Sequence, residues 1–195
     1  MKKTVITGIL VLLCLAMTLS FASCKNNEDP DAPDGYVTAS AECADYFLYV
    51  PAEWIVDTPE KSIMASARAN SFSSTPNITM MPCTDDEEQY ATVEAYWEYY
   101  KSSLVKLFDE TKNENGESTG ESSFAMVSEG ISCKVGGRDA MKYVYTATLS
   151  GVSLKYLQLI VKDSSQMYIL TYTATEDTYD EEQINGIIEN IKFKA

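Results

Sequence analysis

The chain has 195 residues, 45% of them hydrophobic, with 13 tyrosines, 15 Lys+Arg against 29 Asp+Glu and no histidine. That length and composition describe one globular domain with at most a short appendage. The formal charge of -14 argues against nucleic acid, whose phosphates call for Lys and Arg, and the missing histidine removes the commonest general base and metal ligand.

The N-terminus points to a compartment. Lys2 and Lys3 precede an apolar run from Val5 to Leu19, then Phe21-Ala22-Ser23-Cys24. A basic start, an apolar stretch and small residues before a cleavage point make a secretory signal. The rival, a transmembrane anchor, would want a longer span, about 20 apolar residues. A cysteine directly after two small residues resembles the lipobox of bacterial lipoproteins. By that resemblance residues 1–23 are removed and Cys24 carries a diacylglyceryl group. Two acyl chains anchor a protein stably without any spanning helix.

Residues 24–43 read as the lipidated cysteine and an acidic tether. Its Lys25–Gly35 stretch holds two prolines and no large apolar group, too little to offset the entropy of ordering. Asp29, Asp31, Asp34 and Gly35 share part of a calcium-loop spacing. Pro30 and Pro33 break the geometry and the bidentate glutamate is missing. Cys43, Cys83 and Cys133 are odd in number beyond Cys14 and Cys24. Three thiols cannot all pair internally. Buried reduced thiols are the expectation, with one disulfide plus one free thiol as the alternative. No C-x-x-C spacing suggests a redox dithiol or a zinc knuckle.

The globular domain is expected over 44–195. Asp45–Val50 reads as a strand ended by Pro51, followed by Trp54–Val56, Ser62–Ala67 and Asn77–Met81. From Val93, the positions Tyr96, Trp97, Tyr100, Leu104, Leu107 and Phe108 recur every three or four residues, one buried helical stripe. Thr92 is its N-cap, and the acids at 85–88 suit the helix dipole. Lys112–Ser123 reads as a loop.

Four strands then follow at hairpin spacing: Phe124–Cys133, Arg138–Leu149, Val152–Lys162 and Gln166–Thr175, joined by Gly- and Ser-containing turns. The third is apolar on both faces, with Val152, Leu154, Tyr156 and Ile160 on one and Leu157, Leu159 and Val161 on the other. Such a strand must be covered on both sides. Ile184, Ile187, Ile188 and Ile191 form a last helix that supplies one cover. Thr178 and Glu181 have capping-box spacing before it. Gly186 weakens it by about 1 kcal/mol and leaves room for close approach to the sheet. The expected fold is α+β, an α-β-α sandwich around a central antiparallel sheet of six to seven strands.

Tyr49-Val50-Pro51-Ala52-Glu53-Trp54, Gly136-Gly137-Arg138-Asp139-Ala140 and Ile187-Ile188-Glu189-Asn190-Ile191-Lys192-Phe193 resemble the PsbP-like domain of small bacterial lipoproteins, here of Gram-positive type. The resemblance runs from Asp45 to Phe193 and implies the same α-β-α sandwich. Plant members of that family assist photosystem II, and many bacterial ones have no assigned activity. Metal sites in the plant proteins involve histidine, which this chain lacks, so the resemblance carries over no functional residue.

Chemistry is sparse. Without histidine a nucleophile would need Lys or a carboxylate as its base, and no phosphate-cradling glycine loop occurs. The acid clusters Asp85–Glu88 and Glu176–Glu182 are explained by helix N-termini before calcium is invoked. Tyr99 falls on the wetter face of its helix, where an aromatic can anchor a partner, although single exposed aromatics are ordinary. The expected function is a non-catalytic binding or assembly module on the extracytoplasmic face of the cell membrane. It is held by lipid on Cys24, meets an envelope protein or small ligand, and uses no cofactor, no metal and no nucleic acid. The alternatives are a carboxylate-based hydrolase, which needs a deep cleft with two converging acids, and an accessory receptor of a transport system, for which the chain looks short.

Overall fold

The computed structural model describes residues 31–57, 63–70, 75–83, 92–109, 122–149, 151–163 and 166–194. In chain order the strands are β1 (Tyr36–Thr38), β2 (Tyr46–Phe47), β3 (Tyr49–Pro51), β4 (Ile55–Val56), β5 (Ala65–Arg68) and β6 (Asn77–Pro82). Helix α1 (Val93–Asp109) follows. Then come β7 (Ala125–Val135), β8 (Arg138–Leu149), β9 (Val152–Lys162), β10 (Met167–Thr175), helix α2 (Glu181–Glu189) and β11 (Lys192–Phe193).

Seven strands form one antiparallel sheet in the order β4-β5-β6-β10-β9-β8-β7. The hairpins follow from local chemistry. Gly136, Gly137 and Gly151 hold positive φ of 54°, 82° and 80° in the turns, which a side chain resists. Gly136 does a second job. A Cβ there would stand 2.8 Å from the Phe193 ring, so glycine lets the C-terminal strand lie against the β7–β8 turn. The Arg138 guanidinium then covers the Phe193 ring at 3.9 Å and pairs with Asp163 at 3.0 Å.

β9 is buried on both faces, as its sequence requires. Leu157, Leu159 and Val161 join the cluster under α2, with Ile184, Ile187, Ile188 and Ile191. Leu154, Tyr156 and Ile160 join the cluster under α1, with Trp97, Leu104 and Phe108. The architecture is the expected α-β-α sandwich. Val152 alone leaves the pattern, being exposed beside the β8–β9 turn.

Several expectations need correction. The fold reaches into the 24–43 segment. Tyr36–Thr38 pair with Tyr49–Pro51, Ala39 is buried, and Gly35 C=O accepts from Ala52 N–H at 2.9 Å. Even Asp31 C=O accepts from Lys192 Nζ at 3.1 Å. The acidic, proline-containing stretch before it hid this, while main-chain bonds together with Tyr36 and Val37, packed against the core, hold the segment. Asp45–Val50 is not one strand. β2 pairs with β11 and β3 with β1, since Leu48 turns its C=O to Ala39 N–H at 2.7 Å and its N–H to Ser40 Oγ at 3.2 Å. The cap of α2 is Asp180, whose Oδ1 accepts from Gln183 N–H at 2.9 Å. Thr178 Oγ1 instead accepts from Thr175 N–H at 3.1 Å in the preceding turn. Gly186 makes room for β1, not for the sheet: a Cβ there would sit 3.1 Å from the Tyr36 hydroxyl.

Candidate functional site

Thr92 caps α1, its Oγ1 accepting from Ala95 N–H at 3.2 Å. The helix then lies across β8 and β9 on one face of the sheet. Where it begins, it leaves a shallow depression of about 330 Å³, open to solvent. Thr92, Val93 and Glu94 form the helix wall. Ser132, Asp139, Ala140, Met141 and Lys162 come from the ends of β7, β8 and β9. The register sets them side by side: Ser132 stands opposite Met141, and Asp139 opposite Lys162. Lys134 pairs with Asp139 at the rim. The surface mixes both signs of charge with a small apolar floor.

Behind it lies an aromatic layer. Trp97 stacks on Tyr143 with centroids 4.0 Å apart, and Tyr145 stacks on Tyr156 at 4.9 Å. A Cβ on Gly130, at φ 100°, would stand 2.7 Å from the Tyr143 ring, so the edge strand passes this ring only as glycine. A polar link runs through the layer. Tyr145 O–H donates to Gln158 Oε1 at 3.1 Å, and Gln158 Nε2 donates to Thr171 Oγ1 at 3.2 Å. Gln158 is completely buried, so these bonds repay its desolvation. Trp97 Nε1 is buried and finds no hydrogen-bond partner among the described residues.

Burial disfavours phenolate throughout this layer. It pushes the Tyr143 phenol up to about 12, with Glu94 and Glu98 adding repulsion. It raises Tyr145 well above its ordinary value. It raises Tyr100 too, partly offset by a hydrogen bond with Gln158.

The sequence-level candidates scatter. Tyr96, Trp97 and Tyr100 belong to the aromatic layer, and Tyr99 is 47% exposed on α1, away from it. The acids of the Glu176–Glu182 stretch act locally, Asp177 accepting from Thr175 Oγ1 and Asp180 capping α2. Cys24 and Asp85–Glu88 lie outside the described residues. Among the described residues, no three Cys, Asp or Glu side chains gather where they could hold a metal, and no helix is long and apolar enough to cross a membrane. Cys43, Cys83 and Cys133 form no disulfide with one another, so the disulfide alternative falls. They are not uniformly buried, however: Cys43 is exposed because it sits on a surface turn.

Sequence reading missed Thr92, Glu94, Ser132, Asp139 and Lys162 as a group, since only the hairpin register brings them together. It also missed Gln158, which carried a signal: it is the one polar residue between Tyr156 and Val161 in a doubly apolar strand.

No family model matches this chain, and no curated protein matches it in sequence. Solved structures do. The solution structure of cyanobacterial PsbP from Synechocystis sp. PCC 6803 superposes with a TM-score of 0.58 at 11% identity, over 89% of this chain and 98% of that one. The fold is PsbP-like. LpqN of Mycobacterium tuberculosis, involved in cell envelope biogenesis, is similar at a TM-score of 0.49 and 14% identity, over 77% of this chain and 83% of its own. A Pseudomonas aeruginosa protein of unknown function reaches 0.47 at 12%, over 80% and 94%. Neither reaches 0.5, so the PsbP-like assignment rests on the cyanobacterial protein. At such identities the likeness concerns the fold alone.

Proposed function

We propose that this chain is a lipoprotein anchored through Cys24 on the outer face of the cell membrane, and that its PsbP-like domain is a binding or assembly module. The observation that carries the anchor is the run Phe21-Ala22-Ser23-Cys24 after a basic start and an apolar stretch. The depression at the start of α1 supports contact over turnover. It is open and shallow, and its strand side carries Asp139 and Lys162, with Asp139 neutralised by Lys134 at the rim. An enzyme gains from excluding water around its reacting groups, which an open surface does not do. The acidic domain is repelled by anionic headgroups, so the lipid holds it near the membrane while the charge keeps it off the surface.

Two measurements test this. Radiolabelled fatty acid enters the wild-type chain and not Cys24→Ser; label in the mutant would remove the anchor. A photocrosslinker at Ser132, inside the depression, captures a discrete product on intact cells. The same group at Glu176, at the opposite end of the sheet, captures none. Equal products from both positions, or turnover of a substrate panel by purified protein, would remove the binding module.

A further inference from the structure

The sulfur atoms of Cys43 and Met64 lie 3.9 Å apart, joining segments 21 residues apart in the chain. Their backbones hold them there. Ala41 N–H donates to Met64 C=O at 2.7 Å, and Ala44 N–H closes a turn onto Ala41 C=O at 3.0 Å. Ser40 and Ala65 form an antiparallel bridge alongside, and Ala39, Ala44 and Ala65 are buried at the root of the turn. Cys43 itself is exposed, while Met64 packs partly against the core. Two sulfur ligands from different segments therefore meet at the surface, preset by main-chain bonds.

Thiolate and thioether are soft donors, and soft donors select Cu(I) over the hard cations that carboxylates hold. At a metal–sulfur distance of about 2.3 Å, two sulfurs of a trigonal ion stand about 4.0 Å apart. The separation of the two atoms suits that geometry once the proton that Cys43 Sγ donates to Met64 Sδ is lost. We propose that Cys43 and Met64 form a two-sulfur site for a soft monovalent cation, Cu(I) or its analogue Ag(I), with one position open to solvent. On binding, the Cys43 thiol loses its proton to water and forms the Sγ–metal bond. Met64 Sδ donates a lone pair, and the metal keeps its oxidation state. The open position admits a third donor from outside, which suits a site that exchanges its ion. Nothing in this depends on the lipid anchor or on the depression by α1.

The test uses the full chain, reduced and free of oxygen, competing for Cu(I) against a chromogenic chelator. Wild type withdraws one equivalent. Cys43→Ser withdraws none, and Met64→Leu, which conserves volume, binds at least tenfold more weakly. Cys24→Ser and Cys133→Ser bind as wild type does. Unchanged thermal midpoints in Cys43→Ser and Met64→Leu separate lost ligands from lost folding. The site is overturned if wild type takes no copper, or if either Cys43→Ser or Met64→Leu keeps the wild-type binding.

Discussion

The two faces of the central sheet are packed by different chemistry. On the α2 side Ile184, Ile187, Ile188 and Ile191 meet Leu157, Leu159 and Leu170, largely aliphatic, with Tyr46 and Tyr172 buried at their margin. Under α1 lie Trp97, Tyr143, Tyr145, Tyr156 and Phe108, with Gln158 threaded among them. Aliphatic side chains interdigitate and ask for no partner. Buried tyrosines and glutamine ask for hydrogen bonds in fixed places. The α2 face thus resists any loss of volume. The α1 face resists any loss of a polar partner, and it ends in the open depression.

Alkali has the largest expected effect. Burial raises the phenols of Tyr100, Tyr143 and Tyr145 on the α1 side, and those of Tyr46, Tyr172 and Tyr179 on the other. Their contribution is complete below the ordinary tyrosine value near 10 and is lost as pH rises through the folded values. In that window the unfolded chain has lost protons that the folded chain keeps, at up to about 1.4 kcal/mol per pH unit for each tyrosine. Phenolate absorbance and far-UV circular dichroism should change together in one transition above pH 10. Two separate steps would show that the layers melt independently.

Truncation comes next. Ile187→Ala removes a fully buried side chain and should cost about 2–5 kcal/mol. An unchanged denaturation midpoint would refute the aliphatic packing of α2. On the α1 face, Gln158→Leu keeps volume but strips Tyr145 of its acceptor. A loss of about 1–3 kcal/mol is expected, with part regained in Gln158→Leu/Tyr145→Phe. If the double variant is as unstable as the single losses added together, the polar link is not what stabilises that face. The smallest effect is at Gly186. Gly186→Ala gains helix propensity but presses on the Tyr36 hydroxyl, so it should be near neutral. In a Tyr36→Phe background it should stabilise by about 1 kcal/mol. Equal effects in both backgrounds would detach α2 from β1.

The long elements were legible because their patterns are dense. Eleven residues of β9, apolar on both faces, can sit only in the middle of a covered sheet. The α1 stripe and the α2 isoleucines likewise declare which face they bury. The short strands were harder to read. Tyr46–Val50 looks continuous, and only the contacts of Leu48 with Ala39 and Ser40 divide it. Tyr36–Thr38 looked like tether because it is only three residues long and follows an acidic, proline-containing stretch, although Tyr36 and Val37 pack against the core. The cap of α2 was misplaced for a related reason: Thr178 and Asp180 are both good caps, and the turn from Thr175 had already taken Thr178.

The sequence by itself determined the layered α+β fold, the signal-like start and the absence of histidine chemistry, since periodicity and composition are local properties of the chain. Only the tertiary structure decided which residues meet. Ser132, Asp139 and Lys162 share one depression because antiparallel register aligns three separate strand ends. Cys43 finds Met64 because a bridge at Ser40 and Ala65 closes the distance between them. Such meetings depend on how strands pair across long stretches of chain, and no local pattern of residues records that.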